Sequence, residues 1–557
     1  MGSQKGGRAL RTGFAPLGAP VLIGLLLRAW NLDEQILGDD ELHAVRVALA
    51  LPLGEILVTW RETDHSLPLT ALYRLWLDAG GRLSDGVLRA PPLIGSFLLI
   101  GVAPWLAGPA VGTRRATLWS WLLALAPLLV FYGRFVRSYS LTVALCTLAF
   151  VAFVRLCRDT RARFMVLYAF AGAAAIWFHL GAGPFVASPL LVGFVLLSVG
   201  RARIPQRLRW ARLLALAGAT LALTALALAP GWATLERLIA AKRDAPGLDP
   251  GTALEVLQLH AGTPWPAVAA LFWALVLLGW GLIWRGGRRE LAVAAPGVLM
   301  GQVVGLLLLA PKLDSPTLAM RAFLVTLPVT LLSLTFALDS GIQAASERFR
   351  CRRGPLLTGL AAALVLCSPY LDRGLWQTSF RQHDDYLLFT RGRPSVGLDA
   401  LPPLYRTLGR GPEGAIIELP WHPFWGFGHA FPAYQETHGR AVWVANDEPL
   451  AGHPQLLLRR YLRAQPGVLA ASDARYAVVH LDLEQEERRV RAARDRPDET
   501  RPQGAVWAAL RASGQEIRGR LGAAWGPPDM EDRAIAIWDL ERVRREQYAP
   551  AADTPIY

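Results

Sequence analysis

Apolar runs separated by short arginine-rich gaps leave this chain few ways to fold outside a lipid bilayer. A helix needs roughly 17 to 25 predominantly apolar residues to cross a membrane. Runs of about this length lie at 14–30, 91–109, 117–133, 139–154, 164–180, 184–200, 213–230, 265–284, 291–310, 317–338 and 355–371. The pattern predicts a polytopic α-helical membrane protein with about eleven transmembrane helices.

The charge composition agrees with a membrane protein. Only 18% of the 557 residues are charged, whereas soluble chains carry about 25%. The formal net charge of +14 comes from arginines that fall in the gaps between runs, as at Arg114 and Arg115 or at Arg155, Arg158 and Arg161. This placement is typical of the positive-inside rule and does not favour a nucleic-acid partner. The arginine-rich gaps and the amino terminus are therefore predicted to be cytoplasmic.

The rest of the topology follows from alternate threading. The first loop, 31–90, the loop at 232–264 and everything after residue 372 are predicted to lie outside the membrane. The first run ends in "LLLRAWNLDE", which lacks a small-x-small cleavage site, so we expect a retained signal anchor. The domains are then 1–372, which spans the membrane, and 373–557, which does not.

The carboxy-terminal domain has a different pattern. Short β-type stretches, "AIIEL", "AVWVA", "YAVVHLDL" and "AIAIWDL", alternate with helix-like segments at 449–464 and 505–513. This alternation predicts a soluble α/β domain. A segment dense in aromatic residues, 421–431, contains His422 and His429. It suits either a sugar-stacking platform or a surface resting on the membrane or the transmembrane helices.

Three consecutive carboxylates, Asp39, Asp40 and Glu41, open the first outer loop. Adjacent carboxylates raise one another's pKa, which suits a general base at the water–lipid boundary. Alternatively, Asp39 and Asp40 cap an interfacial helix that begins at Glu41. The spacing alone leaves both interpretations open.

Cations at the predicted outer ends of several spans share the face of the acidic triplet. Each alone could be a residue that extends its charge to the interface, but together they could form a phosphate pocket. They are Arg89, Arg134, Arg137, Lys312 and Arg321. Between the acidic triplet and Arg89, "LPLTALYRLWL" predicts an amphipathic helix with Leu69, Leu72, Leu75 and Trp76 on one side, lying flat on the membrane over the site.

Four motifs occur in an order that resembles a known superfamily. They are "GDDELHAVRVAL", "DHSLPL...LYRLWL", "VLRAPPLIGSFLL" and "YGRFVRSYSLTVAL". Over about residues 17–200 the chain is similar to GT-C glycosyltransferases, within the branch of protein O-mannosyltransferases and aminoarabinose transferases. A weaker similarity appears in "SPTLAMRAFLVTLPVTLLSL".

The resemblance implies roles for individual residues. Asp40, followed by Glu41, would be the catalytic base, and Arg89 would contact the lipid phosphate. The family's late-span arginine would correspond to Arg321, and its histidine to His65 in support. By their position on the outer face, rather than by the resemblance, Arg137 and Lys312 would join the phosphate site, with Asp39 and Arg134 in support. The chain departs from the family at "HSLPL", where many members have His-Pro-Pro-Leu, and at Arg321-Ala322-Phe323, where Arg-Tyr-Leu is usual.

The function implied is transfer of a sugar from a polyprenyl-phosphate donor to an acceptor hydroxyl, with inversion. The implied location is the bacterial inner membrane, with a periplasmic carboxy-terminal domain. The family commonly works without a cofactor or bound metal, and this chain shows no metal-ligand spacing. The sequence alone leaves dependence on a divalent metal open. The alternatives are a transporter or flippase of lipid-linked sugars and a non-catalytic assembly protein for envelope polysaccharide.

Overall fold

The computed structural model describes most of both predicted domains. The described residues are 15–30, 32, 37, 39–60, 66–159, 161–198, 209–241, 250–263, 265–309, 316–349, 402–420, 440–446, 453–493 and 504–547. The predicted eleventh span, the domain boundary near residue 372 and the aromatic segment at 421–431 lie outside them.

The first part of the chain is mostly helical in its described residues. Its helices are α1 (Gly18–Ala29), α2 (Asp39–Ala50), α3 (Leu53–Val58), α4 (Leu67–Asp78), α5 (Asp85–Phe97), α6 (Ala103–Val111), α7 (Thr113–Leu125), α8 (Pro127–Tyr132), α9 (Tyr139–Arg158), α10 (Ala162–Phe178), α11 (Gly183–Ser198), α12 (Trp210–Leu228), α13 (Trp232–Ala241), α14 (Pro250–Ala261), α15 (Pro266–Arg285), α16 (Arg289–Leu309), α17 (Pro316–Phe323) and α18 (Leu327–Phe349). A π-helical turn at Leu98–Val102 joins α5 to α6.

Seven helical segments in the described residues are long and apolar enough to cross a membrane. They are Asp85–Val111, Tyr139–Arg158, Leu180–Ser198, Trp210–Leu238, Pro266–Arg285, Arg289–Leu308 and Ala319–Arg348. Two further apolar helices, α1 and α10, are shorter, with 12 and 17 residues. The prediction of a multi-pass helical membrane protein is confirmed, and the count of eleven spans stays a prediction.

The predicted third span is broken into two helices. Ala126 is extended, with φ −60° and ψ 119°, between α7 and α8. The cause is Pro127, because proline lacks an N–H and its ring disfavours a helical conformation in the residue before it. The break leaves the last carbonyls of α7 without intrahelical partners.

Helix α9 lies at the centre of the bundle. The apolar stretch of α9 is 89% buried. The apolar stretch of the span at Trp210–Leu238 is only 17% buried, so this span faces lipid. Helix α5 approaches α9 closely at Gly95, where a Cβ atom would lie 2.7 Å from the Leu141 backbone nitrogen. Small residues permit such close contact between membrane helices.

Helix α4 in the first loop has one packed side and one apolar, exposed side. Leu69, Tyr73 and Leu77 are buried, whereas Leu72, Leu75 and Trp76 are 46 to 49% exposed. The predicted amphipathic helix is therefore present, but Leu69 packs inward, away from the other three. The exposed apolar side suits contact with the membrane surface.

The carboxy-terminal domain is an α/β fold around a six-stranded sheet, as predicted. The strand order is β5-β3-β2-β6-β8-β7; β5, β3, β2 and β6 are parallel to one another, and β8 is antiparallel to β6 and β7. The strands are β2 (Ala415–Leu419), β3 (Val442–Asn446), β5 (Tyr461–Arg463), β6 (Ala474–His480), β7 (Met530–Glu531) and β8 (Ile535–Asp539). The helices are α19 (Pro403–Arg410), α20 (Pro466–Ala470), α21 (Leu483–Ala493), α22 (Gly504–Trp525) and α23 (Leu540–Gln547).

One helix prediction in this domain is wrong. In the described part of 449–464 the chain forms the short strands β4 (Leu456–Leu457) and β5 rather than a helix. Strand pairing overrides the local apolar spacing, because β5 completes the sheet against β3 and β4 pairs outside the domain.

The domain docks on the first loop. Strand β1 (Leu83–Ser84) pairs in parallel with β4. Leu42 and Tyr73 of the loop share one hydrophobic core with Ile416 and Val478 of the sheet. The opposite sheet face packs on a separate core that includes Ile517 of α22. The sheet is thus covered on both faces, as expected for parallel strands.

A buried charged cluster lies at the carboxyl ends of β2 and β6. His480 Nδ1 lies 2.7 Å from Glu486 Oε2, and its Nε2 lies 2.8 Å from Glu418 Oε2. The Tyr405 hydroxyl donates to the same Glu418 oxygen at 2.7 Å. Burial opposes protonation of His480, but the charge of Glu486 and hydrogen bonds to both glutamates outweigh burial and raise the pKa of His480 to about 10.

This cluster predicts a pH-dependent stability. A histidine whose folded-state pKa exceeds its unfolded value of about 6.5 stabilises the fold fully below that value and progressively less as pH rises. We expect the thermal midpoint of the detergent-solubilised protein to fall between pH 6.5 and 10 as His480 titrates with its pKa of about 10. His480→Gln should destabilise the protein by about 3 kcal/mol at pH 6.5, because two buried carboxylates lose their cation, and should flatten the slope. His453→Gln, in the turn before β4, is the control; an unchanged slope in His480→Gln would contradict the assignment.

Candidate active site

Two of the predicted phosphate-site arginines lie in a turn at the centre of the protein. Residues 133–138, here the arginine turn, connect α8 to α9 and contain Arg134 and Arg137. Both side chains are buried, with 7% and 6% exposure. Arg134 and Arg137 are three residues apart, a spacing that predicts one shared helical face. That prediction is wrong, because α8 ends at Tyr132 and α9 begins only at Tyr139.

Arg28 of α1 packs against the arginine turn and is hydrogen-bonded to the end of α7. Its guanidinium donates to the carbonyls of Ala124 at 2.9 Å and Leu123 at 3.1 Å, which belong to the last turn of α7 before the break at Pro127. A Cβ atom on Gly133 would lie 2.6 Å from Arg28 Nε and 2.5 Å from Ser96 Oγ. Arg28 thus provides hydrogen-bond donors for the carbonyls at the end of α7 and fixes the position of the arginine turn relative to α1.

Glu41 anchors the first loop on the arginine turn. Its side chain is fully buried, and Oε1 accepts a hydrogen bond from the Val136 backbone N–H at 2.8 Å. Helix α2 begins at Asp39 rather than at the expected Glu41. Asp39 and Asp40 therefore lie in the first turn of α2, next to Glu41. For these two residues the structure describes the helical backbone and not the side chains.

Tyr73 and Arg89 share the environment of Glu41. Burial and then the charge of Glu41 raise the pKa of the Tyr73 hydroxyl, while the charge of Arg89 acts in the opposite direction. The Tyr73 hydroxyl donates to the Leu88 carbonyl at 2.7 Å. The ring thereby ties α4 to α5 one residue before Arg89.

Arg89 is also connected to the carboxy-terminal domain. It is fully buried, and its Nη1 lies 3.2 Å from Asp85 Oδ1, one turn earlier in α5. The other oxygen of Asp85 accepts a hydrogen bond from the Arg459 backbone N–H at 3.1 Å. Asp85 therefore bridges a buried arginine of the bundle and the backbone that follows β4.

Arg321 approaches the arginine turn from the late part of the chain. It is 8% exposed, and its guanidinium carbon lies 5.8 Å from the ring centroid of Tyr139, the first residue of α9. The same ring lies 5.5 Å from that of His179. Gln302 of α16 fixes this region by donating to the Gly181 carbonyl at 2.9 Å and to the Ala322 carbonyl at 2.8 Å.

The structure brings most of the described candidates to one place. Glu41, Arg134, Arg137 and Arg321 lie on or beside the arginine turn, and Arg89 is linked to Glu41 through Tyr73. Lys312 and His65 lie outside the described residues. Arg28, Tyr73, Asp85 and His179 were not predicted; an arginine near the end of the first span, before a later helix-breaking proline, is the signal that could have indicated Arg28.

The electrostatics of this cluster favour an anion. Among the described side chains, those of Arg134, Arg137, Arg321 and Glu41 are buried on or beside the arginine turn. Cations within a membrane protein usually face a polar cavity or bind something anionic. Arginine binds phosphate oxygens through planar, bidentate hydrogen bonds. Among the described residues, no group of three His, Cys, Asp or Glu side chains is arranged to hold a metal ion.

Comparison with known proteins gives similarities of structure. No family model and no curated protein matches the sequence. The chain is similar to the aminoarabinose transferase ArnT from Cupriavidus metallidurans in its apo state (15% identity, TM-score 0.45, 83% of this chain and 92% of the other). The form bound to undecaprenyl phosphate is similar at 14% identity and TM-score 0.44, over 84% of this chain and 92% of that one.

A second similar structure is the Archaeoglobus fulgidus oligosaccharyltransferase in complex with zinc and sulfate. It has 13% identity and a TM-score of 0.45, over 84% of this chain and 68% of the other.

Gly133→Ala should test the packing of the arginine turn. Gly133 has φ −68° and ψ −13°, which any residue adopts, so the effect is purely one of space. We expect a loss of about 1 to 3 kcal/mol from overpacking against Arg28 and Ser96, measured as a lowered thermal midpoint. The matched control is Gly86→Ala in α5, where an added Cβ meets nothing within 4 Å and should be neutral or stabilising. Equal stability of the two variants would contradict the packing described.

Proposed function

We propose that this protein is a membrane glycosyltransferase that moves a sugar from a polyprenyl-phosphate donor to an acceptor hydroxyl. The observation that carries the proposal is the convergence of Arg134, Arg137 and Arg321 with the first-loop residue Glu41 at one turn. Residues distant in sequence supply buried positive charge beside the carboxylate of Glu41, which Asp40 precedes in the chain. A lipid phosphate needs the positive charge, and deprotonation of an acceptor needs a carboxylate.

The arginines would hold the phosphate and stabilise its departure. Arg137 and Arg321, with Arg89 and Lys312, would bind the donor phosphate, and Arg134 would support them. In the transition state negative charge grows on the leaving phosphate oxygen, so fixed cations lower the barrier there more than in the ground state. The phosphate leaves already charged and requires no general acid.

Asp40 would be the general base. The anchor between Glu41 and Val136 holds the first turn of α2 beside the arginine turn, and Asp40 precedes Glu41 in that turn. Asp40 takes the proton of the acceptor hydroxyl as its oxygen attacks the anomeric carbon. Glu41 then acts mainly by positioning Asp40, and in-line displacement inverts the anomeric centre.

The proposed orientation places this reaction on the outer face of a bacterial inner membrane. The bundle end opposite the arginine turn carries Arg114 and Arg115 in the first turn of α7, Arg158 at the end of α9 and Arg161 just before α10. Under the positive-inside rule that end is cytoplasmic. The carboxy-terminal domain, docked on the first loop, is then periplasmic.

Asp40→Asn should abolish transfer while expression and membrane insertion remain intact. Loss of a general base typically costs about 10²- to 10⁴-fold in rate. The measurement is release of polyprenyl phosphate from a panel of labelled polyprenyl-phosphate sugars by the purified protein. The matched control is Asp78→Asn, which removes an exposed carboxylate paired with Arg74 on the first-loop helix α4.

Two results would count against the proposal. Transfer by Asp40→Asn at the wild-type rate would remove Asp40 from its role. Absence of polyprenyl phosphate release by the wild-type protein with every donor and acceptor would favour a transporter or an assembly protein.

Arg137→Gln and Arg321→Gln should each lower kcat/KM for the donor by about 10²-fold, in line with removal of one charge-stabilising donor. Arg321→Lys should retain part of the activity, since it keeps the charge but not the bidentate geometry. Arg82→Gln, at an exposed first-loop position, is the control. Wild-type kcat/KM in both glutamine variants would place the phosphate elsewhere.

A further inference from the structure

A cavity of about 530 Å³ lies at the end of the bundle opposite the arginine turn. Its position follows from the residues that line it, since Arg155 is in the last turn of α9, Arg163 in the first turn of α10 and Thr113 is the first residue of α7. Most of the lining is apolar. It includes Leu17, Trp105, Leu106, Phe164 and Leu167.

Two guanidiniums share one aromatic ring in this cavity. The guanidinium carbon of Arg155 lies 4.8 Å from the centroid of the Phe164 ring, and that of Arg163 lies 4.9 Å from the same centroid. Arg155 also donates to the Leu106 carbonyl at 3.2 Å, which fixes its head at the cavity wall. Two like charges held beside one ring repel each other and favour an anion between them.

The surrounding charges leave this region positive. The nearby carboxylate of Asp159 favours the charged form of Arg155, whereas the positive charges of Arg158, Arg161 and Arg163 disfavour it. Asp159 is shared, at 3.7 Å from Arg155 and 3.4 Å from Arg161. Arg158 pairs with Glu290. Within the described part of the chain, no carboxylate forms an ion pair with Arg163.

We propose that this cavity binds an anionic phospholipid of the surrounding bilayer. The phosphate would lie between Arg155 and Arg163, and the acyl chains would extend along the apolar lining. A free anion would leave that lining in contact with water, whereas a lipid covers it. Basic pockets between transmembrane helices select anionic headgroups, and the volume is within the range of ordinary ligand sites. The site is remote from the arginine turn and does not depend on the proposed transferase activity.

The test is lipid binding by the intact protein. The full chain in detergent is titrated with phosphatidylglycerol or with phosphatidylcholine of the same acyl chains, and bound lipid is counted by native mass spectrometry. We expect phosphatidylglycerol to bind more tightly. Arg155→Gln and Arg163→Gln should each weaken its binding about fivefold, the contribution expected of one arginine near an anionic lipid. Thr113→Glu, an exposed lining position, should remove the preference without altering the core.

The matched control is Arg161→Gln. Arg161 carries the same charge on the same connection, but its side chain is 63% exposed and outside the cavity lining. It should bind phosphatidylglycerol like the wild type. Equal binding of the two lipids, or equal losses in Arg161→Gln and Arg163→Gln, would overturn the proposal. Displacement of the lipid by millimolar inorganic phosphate would show that the site takes a free anion, and would also overturn it.

Discussion

The break of the third span at Pro127 is the constraint on which the rest of the structure depends. In an apolar bundle every backbone polar group requires a partner, and the break exposes carbonyls at the end of α7. Arg28 provides the donors for Leu123 and Ala124. Once Arg28 is fixed there, Gly133 can lie directly against it, and the chain can run through residues 133–138 without helical structure. A polar turn is thereby held at the centre of the protein by a helix end and a buried guanidinium.

The turn then organises three separate parts of the chain. The Val136 N–H donates a hydrogen bond to Glu41 of the first loop, and Gly133 contacts Arg28 of α1. The guanidinium of Arg321 in α17 lies over the ring of Tyr139, the residue that follows the turn. Buried charges are costly unless they are paired or bind a ligand. The described side chains at the turn therefore combine buried positive charge with the buried carboxylate of Glu41.

The sequence predicted the class of fold well, because hydropathy and arginine placement report directly on membrane crossing. The same logic identified most strands of the carboxy-terminal domain from β-branched residues. It failed where long-range contacts decide. The segment at 449–464 has helical spacing, yet β4 and β5 form because partner strands are present. Arg134 and Arg137 look like helical neighbours, but Gly133 and the aromatic packing of Tyr132 with Tyr139, at 5.1 Å, end one helix before the next begins. The roles of Arg28 and Asp85 depend on partners about 95 and 374 residues away, which no local pattern contains.

The parallel pairing of β1 with β4 has a consequence for biosynthesis. Leu83 and Leu456 are partners in one ladder, although the ribosome makes nearly the whole membrane region between them. The first loop is therefore synthesised long before its partner strand, and Asp85 lacks its hydrogen bond from Arg459 until that part of the chain has been made. The contacts around Asp85 and Arg89 are completed only late in synthesis, so a nascent or truncated chain has the helices but lacks the pairing of β1 with β4.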